Sequence, residues 1–383
     1  MKFVTSLDIN EETLLVPILS NTRKHWALNK VSFIYCYTLQ THDEFIIGIN
    51  HNDTVLGNFP NLTMPCYIYN SKYLDFKGIE AKVLIWLQNK ELQKHQFPNI
   101  VNVDCFPIMK LLPYVRSIKD EFILAYNKFS QKTALQEYSS LQQNLSTIEK
   151  NGLFTNDGYE YCEYNLFTLT GRPSNHFNQI SYAALNKNDN SRSRFKSRFG
   201  VDGILMEFDL KAFHIYLLSN LTGYVWPVDD IYAYFGTFYK DGVSSKEETF
   251  KQLYGGISDE YLHIDFFEKV KHLTKNLYQR YKNNALKTVL FDREMNIPAL
   301  TDVKVLNYIL QSLETEFNAS FISKINDYLY TRNSKLILYT YDSFLIDFSK
   351  ADGPECFTAL KDIFKDVPHR LKVGKNYNML IEC

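Results

Sequence analysis

Three side chains of different chemistry recur at every fourth position of one short stretch. The stretch KEETFKQLYGG, residues 246–256, contains Lys246, Phe250 and Tyr254 and ends in a glycine pair. Residues four apart lie on one side of an α-helix, so the spacing predicts a helix with an ammonium, a phenyl ring and a phenol in a row. Such a row either packs into the core, with Gly255 ending the helix, or faces a ligand.

Two aspartates stand where an apolar segment ends or turns. Asp209 directly follows ILMEF, and Asp342 lies between the apolar halves of LYTYDSFLID. If these segments are strands that meet at one edge, the two carboxylates could hold divalent cations together. Mg²⁺ prefers hard oxygen ligands and leaves positions for phosphate and water, and two such ions can activate a hydroxyl and stabilise a leaving pyrophosphate. For either aspartate alone, the alternative is a surface or turn-capping role.

Local patterns predict the elements that position these side chains. Residues 1–110 contain short strand-like segments and, at 80–95, helical spacing, which together indicate an α/β block. Residues 111–150 have polar-rich helical spacing that stops at Gly152. The predicted strands are KVSFIYCYTL, DEFIIGINHND, PCYIYN and NIVNVDCF in the first block, and ILMEF and LILYTYDSFLIDF in the second half.

Composition restricts the class of protein. With 383 residues, 45% of them hydrophobic and 15% aromatic, the chain can form two or more domains with a large core. The six cysteines include no CxxC pair, which argues against a disulfide framework and a zinc site. Neither a signal-like N-terminus nor an apolar run of 18 residues is present. We therefore expect a soluble, cytoplasmic protein without a membrane partner.

The net charge of -1 gives the chain no general attraction for polyanions, so nucleic acid would have to be bound by local patches. Two basic runs stand out, residues 187–198 with five cations and one acid, and residues 269–287 with six cations and no acid. A solvated surface is one interpretation of both. The second run also interleaves Tyr278 and Tyr281 with its cations, a mixture suited to phosphate contact and base stacking.

Eight segments follow one another from about residue 165 to the C-terminus. They are TLTGR (168–172), DLKAFHIYLLSNLTGY (209–224), DIYAYFG (230–236), KEETFKQLYGG (246–256), LKTVLFDREMNIPAL (286–300), NYILQ (307–311), YDS (341–343) and LKVGKNYN (371–378). In this order they resemble the motifs of the polymerase domain of family A DNA polymerases, the bacterial repair and phage replicative type. The fourth matches that family's motif B, K-x3-F-x3-Y-G, at full spacing.

The resemblance implies an α+β right-hand polymerase, with an antiparallel palm sheet, helical fingers and a helical thumb. It implies a degenerate exonuclease-like α/β domain of RNase H type at 1–110, a thumb-like helical segment at 111–152, and palm and fingers at 153–383. It also implies two Mg²⁺ ions as cofactors. The expected partners are primer-template DNA, dNTPs and a replication accessory protein, in the cytoplasm of a bacterial or phage-infected cell.

Site residues follow from the resemblance, position by position. Asp209 and Asp342 would bind the metal ions together with the backbone carbonyl of Leu210, and Lys246 would neutralise triphosphate charge. Phe250 would pack against the nucleotide sugar. Tyr254 would line the templating pocket, and His214 would lie at the sugar. The residues implied to contact primer-template DNA are Arg172, Arg293, Asn307, Gln311 and Tyr341.

Several positions depart from the family pattern. Gly242 stands where the family has an Arg, so a triphosphate contact is missing unless Lys240 or Lys251 supplies it. His214 replaces the motif A Glu that excludes the ribose 2′-hydroxyl, and Tyr341 and Ser343 replace the His and Glu of motif C. The D-S pair occurs in the related single-subunit RNA polymerases.

The N-terminal block resembles a 3′–5′ exonuclease domain only faintly. The strand expected to carry its D-x-E pair is FIYCYTL, which has no carboxylate, while Asp75 and Asp104 alone are more typical of surface residues. Hydroxyls and a thiol are poor ligands for Mg²⁺, so we expect no proofreading.

The sequence therefore predicts a compact DNA-directed DNA polymerase that extends a primer 3′-hydroxyl by a two-metal mechanism. One alternative is a non-catalytic polymerase homologue that binds nucleic acid or a partner. Another is an enzyme like the single-subunit RNA polymerases, which His214 and the D-S pair at Asp342 favour.

Overall fold

The computed structural model describes residues 1–20, 24–51, 54–55, 57–74, 78–88, 111–240 and 242–383. The chain divides into two compact units, Met1–Lys150 and Asn151–Cys383. In the ranges described, no helix combines the length and apolar character needed to cross a bilayer. The three-part division predicted from the sequence stays a prediction.

The first unit contains ten strands, three α-helices and two short 3-10 helices, Trp26–Leu28 and Ser71–Tyr73, within its described ranges. The strands are β1 (Lys2–Val4), β2 (Asp8–Ile9), β3 (Thr13–Leu19), β4 (Val31–Thr38), β5 (Glu44–Gly48), β6 (Asn50–His51), β7 (Thr54–Val55), β8 (Asn61–Leu62), β9 (Cys66–Ile68) and β10 (Ile79–Glu80). The helices are α1 (Ala81–Gln88), α2 (Leu112–Tyr126) and α3 (Lys132–Asn151).

Six of these strands form a mixed sheet in the order β1-β5-β4-β3-β9-β10. Strand β4 runs antiparallel to both β3 and β5, whereas β9 runs parallel to β3 and β10 parallel to β9. The strands predicted at KVSFIYCYTL, DEFIIGINHND and PCYIYN are thus confirmed as β4, β5 and β9. The strand predicted at NIVNVDCF and the end of the helix predicted at 80–95 lie outside the described residues, as do Asp75 and Asp104.

The second unit has the larger set of elements. Its described strands are β11 (Leu153–Thr155), β12 (Gly158–Glu160), β13 (Tyr164–Asn165), β14 (Ser174–Phe177), β15 (Ile180–Ser181), β16 (Gly203–Leu210), β17 (Leu286–Lys287), β18 (Glu294–Met295), β19 (Lys335–Thr340), β20 (Ser343–Ser349), β21 (His369–Gly374) and β22 (Ile381–Glu382). Its described helices are α4 (Phe213–Thr222), α5 (Ile231–Gly236), α6 (Ser245–Gly255), α7 (Asp265–Tyr281), α8 (Asp302–Leu329) and α9 (Gly353–Ile363).

An antiparallel sheet in the order β19-β20-β16-β21-β22 organises the second unit. Aromatic packing covers one side of it, because the ring of Phe364 stacks on Phe208 of β16 at 4.4 Å and on Phe321 of α8 at 4.7 Å between centroids. Phe344 of β20 packs on the same ring at 5.2 Å. All four side chains are buried, so β16, β20 and α8 share one rigid core.

Two arginines of the basic run at 187–198 form ion pairs with acids inside this unit. Asp347 of β20 is fully buried and accepts hydrogen bonds from Ser197 Oγ at 2.6 Å, from the Arg198 backbone N–H at 3.0 Å and from Arg198 Nε at 2.8 Å. The Arg194 guanidinium lies 2.9 Å from the carboxylate of Glu160 near the surface. These cations therefore fasten the segment before β16 to the neighbouring strands.

We expect Arg198→Met to lower the free energy of unfolding by about 3 kcal/mol, because the substitution leaves the buried Asp347 charge without its cationic partner. Urea unfolding measures this loss. The matched control is Arg194→Met, which breaks a half-exposed ion pair and should cost about 1 kcal/mol or less. Equal losses of unfolding free energy in the two variants would show that the buried ion pair of Asp347 stabilises the protein no more than the half-exposed pair of Arg194.

Candidate active site

The two predicted aspartates meet at one edge of the antiparallel sheet. Asp209 is the penultimate residue of β16 and pairs across the sheet with Ser343, the first residue of β20. Asp342 forms, with Tyr341, the two-residue turn that joins β19 to β20. The Leu210 backbone N–H donates to the Asp342 carbonyl at 2.8 Å. The strand register thus fixes both aspartates, and the Leu210 backbone, next to one another.

Backbone strain accompanies both aspartates. Tyr341, directly before Asp342, has φ of +59°, and Ala212, three residues after Asp209, has φ of +47°. This left-handed region favours glycine, and other residues occupy it at a cost that the surrounding structure has to offset. Asn318 of α8 contributes, since its Nδ2 donates to the Tyr341 carbonyl at 2.5 Å. Nothing in the sequence pattern predicted either conformation.

The sheet edge concentrates negative charge. Burial, followed by the charges of Asp209 and Glu314, raises the pKa of Asp342 to about 6. The ammonium of Lys372 on β21 lies 2.5 Å from Asp209 Oδ2 and 3.2 Å from Glu207 Oε2. The raised pKa means that the ionised form of Asp342 is disfavoured beside a second carboxylate. A cation that contacts both carboxylates stabilises their ionised forms. The electrostatics therefore favour a cation between the two aspartates.

Lys246, Phe250 and Tyr254 lie on helix α6, so the helix predicted from their spacing is confirmed. Lys246 is exposed, while Phe250 and Tyr254 are half-buried with their rings stacked at 5.7 Å. The buried side of this helix consists of other residues, namely Thr249, Gln252 and Leu253. The row is thus not the packing stripe of the helix. Gly255 is still helical, and Gly256, with φ of +98°, follows the helix end.

This row and the two aspartates line a single cavity of about 560 Å³. The lining residues are Arg172, Asp209, Leu210, Lys211, Ala212, Phe213, His214, Asp229, Asp230, Ile231, Tyr232, Lys246, Phe250, Tyr254, Glu314, Asp342, Pro368 and Arg370. The volume suits a ligand with several polar groups rather than an ion alone.

Glu314 of α8 is a buried carboxylate in this cavity that the sequence analysis missed. The Arg172 guanidinium approaches it with Nε at 2.7 Å from Oε2, and His214 Nε2 lies 3.4 Å from the same oxygen. The other ring nitrogen of His214, Nδ1, contacts the Tyr254 hydroxyl. Glu314 is buried on α8 among other polar residues, namely Ser312, Thr315, Glu316 and Asn318, so no contrast with an apolar face marks it in the sequence.

The structure separates the remaining predicted contacts from the cavity. Arg293 is buried, and it does not line the cavity. Asn307 Nδ2 donates to the Tyr254 carbonyl at 3.3 Å, and Gln311 Oε1 accepts from Thr170 Oγ1 at 3.4 Å. Tyr341 is closer to the site, because the Arg172 guanidinium lies over its ring at 3.6 Å from the centroid.

The cations that line the cavity differ from the predicted substitutes for the missing family Arg. Neither Lys240 nor Lys251 is among the lining residues, and Lys251 pairs with Glu248 at 3.3 Å. Lys211 and Arg370 do line it. Arg370 is the cross-strand neighbour of Asp209 on β21, a relation that becomes visible only with the strand register.

The donor set at this edge suits Mg²⁺ only as an open site. Within the described part of the chain, no three His, Cys, Asp or Glu side chains are arranged to enclose a metal ion. Two carboxylates and a backbone carbonyl, with the remaining positions left to substrate phosphates and water, are nevertheless what Mg²⁺ accepts. The raised pKa of Asp342 agrees with that need for a cation. The carboxylates of Asp209 and Asp342 are therefore of the kind that fits this metal.

Comparison with solved structures finds a similar fold in the polymerase domain of Pol1 from M. smegmatis, in complex with DNA primer-template and dNTP. The TM-score is 0.70 at 11% sequence identity, over 97% of this chain and 97% of that chain. No family model and no curated protein matches the sequence. The chain thus has the fold of a DNA polymerase domain, which confirms that part of the predicted fold class. The RNase H-like character of the N-terminal block stays a prediction.

Proposed function

We propose that the protein is a template-directed DNA polymerase that extends a primer 3′-hydroxyl with dNTPs, using two Mg²⁺ ions. The observation that carries this proposal is the meeting of Asp209, Asp342 and Lys246 in one cavity. Metal-binding carboxylates and a cation for phosphate are the two requirements of nucleotidyl transfer. A protein that only binds nucleic acid has no need of this combination.

Each part of the cavity has a role in this proposal. Asp209, Asp342 and the Leu210 carbonyl would hold the ions, which supply activation of the 3′-hydroxyl and stabilisation of the leaving pyrophosphate. Lys246, exposed on α6, would bind the triphosphate as a point charge. Arg370 would take over the contact that Gly242 cannot make.

The nucleotide and the primer-template would meet further parts of the same unit. Phe250 packs against the sugar of the incoming nucleotide, next to Tyr254 and His214, and Arg172 with Tyr341 contacts the primer-template near the growing end. Arg293, Asn307 and Gln311 complete the proposed primer-template contacts. Because duplex affinity comes mainly from phosphate contacts, these residues position the template rather than supply most of the binding energy.

The first unit is proposed to be an exonuclease-like domain without cleavage activity, serving as a platform for a replication accessory protein. Its central strands support the loss of activity, because β3 (TLLVPIL) and β4 (VSFIYCYT) contain no carboxylate. Mg²⁺ sites for phosphodiester hydrolysis need such ligands.

We expect Asp209→Asn and Asp342→Asn each to abolish nucleotide incorporation and to leave primer-template binding nearly unchanged. Each substitution removes charge that holds the ions, whereas DNA affinity depends on phosphate contacts elsewhere. Primer extension with dNTPs or rNTPs and a fluorescence-anisotropy binding assay measure the two effects. Asp202→Asn, an exposed carboxylate just before β16, is the control. Extension at the wild-type rate by either variant would remove that residue from the site.

We expect Lys246→Ala to lower kcat/KM for dNTPs by about 2–3 kcal/mol in transition-state free energy, as for loss of one charge-assisted contact. DNA affinity should change little. Steady-state kinetics on one primer-template measures the loss, with Lys251→Ala on the opposite face of α6 as the control. If both variants retain wild-type kinetics, Lys246 does not contact the triphosphate.

We expect no 3′–5′ exonuclease activity. A 5′-labelled primer incubated with the wild-type protein and Mg²⁺, without dNTPs, should keep its length. The same assay on the Asp209→Asn/Asp342→Asn double variant separates any cleavage from pyrophosphorolysis at the polymerase site. Magnesium-dependent shortening by the double variant would show that the first unit has ligands other than those expected.

A further inference from the structure

Lys372 of β21 contacts one of the two proposed metal-binding carboxylates. Its Nζ lies 2.5 Å from Asp209 Oδ2 and 3.2 Å from Glu207 Oε2. Lys372 belongs to LKVGKNYN, the last of the eight segments, yet no sequence motif assigns it a role. It is not among the residues that line the cavity, so its ammonium reaches Asp209 from outside that lining.

Strand register puts these groups on one face of the antiparallel sheet. Lys372 is the cross-strand partner of Glu207 on β16, and Asp209 stands two residues further along that strand. Residues two apart point to the same face of a strand, so one ammonium can reach both carboxylates. Phe208, between them, stacks on Phe364 in the aromatic packing of the other face. The contact of Lys372 with Asp209 is thus built into the sheet.

The ammonium of Lys372 is charged and only partly screened by water. Burial lowers the pKa of Lys372, but the hydrogen bond to Asp209 and the charge of Glu207 outweigh that effect and raise the pKa overall. The side chain of Lys372 is 25% exposed, and that of Glu207 is 6% exposed. Coulomb interactions are stronger at such positions than in open water. A divalent ion that binds Asp209 therefore has to overcome this ion pair.

Glu207 offers the ammonium a second position. Its Oε1 accepts from Ser343 Oγ at 3.0 Å, which leaves Oε2 to Lys372. An ammonium and a divalent ion on the same Asp209 carboxylate would repel each other, and the flexible lysine stem permits a short move. At Glu207 the ammonium keeps a carboxylate partner, so its displacement leaves no buried charge unpaired.

We propose that Lys372 is a built-in competitor of the divalent ion, because its ammonium neutralises Asp209 before an ion binds and moves to Glu207 when an ion arrives. Lys372 is then a positioning residue that sets the affinity of the site for divalent ions, and it is not itself a metal ligand. This inference rests on the proposed function, because it takes Asp209 as a metal ligand. Two consequences follow from it. Removal of the ammonium strengthens ion binding, and the gain is larger when Glu207 cannot receive the ammonium.

Direct binding of Mn²⁺ tests the competition without catalysis. Mn²⁺ takes the same carboxylate ligands as Mg²⁺, and electron paramagnetic resonance measures the free ion. We expect Lys372→Met to lower the Kd for Mn²⁺ about tenfold, the effect of one charge-assisted contact that the ion no longer has to displace. Asp209→Asn should raise the Kd, which assigns the binding to this site.

The matched control is Lys271→Met, which also removes one positive charge. Lys271 pairs with Asp259, its side chain is 27% exposed, and neither residue lines the cavity. The Kd of this variant for Mn²⁺ should equal that of the wild type. A gain as large as that of Lys372→Met would show that net charge, and not the contact with Asp209, controls ion binding, which overturns the proposal.

Glu207→Gln tests the second position of the ammonium. In this variant no carboxylate receives the displaced ammonium, so Mn²⁺ should bind more weakly than to the wild type. Adding Lys372→Met should then lower the Kd by a larger factor than the same substitution does in the wild type. The comparison cancels the direct attraction of Glu207 for the ion. Equal factors in the two backgrounds would show that Lys372 repels the ion without moving to Glu207, which contradicts the proposal.

The outcomes separate the inference from the function beneath it. An unchanged Kd in Lys372→Met overturns the inference, whether or not the wild type extends a primer. If the wild type extends no primer while the variants bind Mn²⁺ as expected, the polymerase proposal fails and the competition stands. A Kd that Asp209→Asn does not raise overturns the inference together with the assigned metal site.

Lys372→Met may fail to fold, because it leaves Glu207 buried without its cation. In that case Glu207→Gln and the double variant Glu207→Gln/Lys372→Met decide, since neither leaves an unpaired carboxylate at this position. The double variant should bind Mn²⁺ more tightly than Glu207→Gln alone, and equal Kd values would overturn the proposal.

Discussion

Repulsion among carboxylates at one edge of the antiparallel sheet is the constraint that the second unit is arranged around. Asp209, Asp342 and Glu314 all border one cavity, and burial makes the repulsion costly because water screens it poorly there. Two cations offset it, Lys372 at Asp209 and Arg172 at Glu314. Among the residues that the structure describes, no Lys or Arg forms an ion pair with Asp342, and burial, followed by the charges of Asp209 and Glu314, raises the pKa of this carboxyl. The negative charge of these carboxylates is thus only partly compensated, and it favours a cation at the place where a metal ion would bind.

Lys372, the cation at Asp209, has a second carboxylate partner that it could keep if another cation bound Asp209. Lys372 reaches Glu207 as well as Asp209, and Glu207 also accepts from Ser343 Oγ at 3.0 Å. An ammonium displaced from Asp209 would therefore keep a carboxylate partner and would not be left buried and unpaired. Ser343, which departs from the family pattern, thereby helps to hold Glu207 in place. This arrangement allows one side chain to balance the charge before and after ligand binding.

The sequence predicted those parts of the structure whose signals are local. Helix α6 followed from the four-residue spacing of Lys246, Phe250 and Tyr254, and β16, β19 and β20 from short apolar runs ending at carboxylates. Strand β3 was missed although it lies inside the first sheet, because Pro17 in TLLVPIL argues against a central strand. The left-handed backbone at Tyr341 could not be predicted either, since contacts from a distant helix sustain it.

The pairing of Glu314 with Arg172 was beyond local prediction for a related reason, because it joins residues far apart in the sequence. Composition marks two basic runs, yet in the run at 187–198 both Arg194 and Arg198 pair with acids of their own unit. The cations that line the cavity instead stand singly on separate elements, as do Arg172, Lys246 and Arg370. A chain with a net charge of -1 can bind a polyanion only if folding gathers such scattered charges. Strand register and the packing of α8 bring these cations to one cavity. Tertiary contacts, more than the density of charge along the sequence, therefore determine which cations line it.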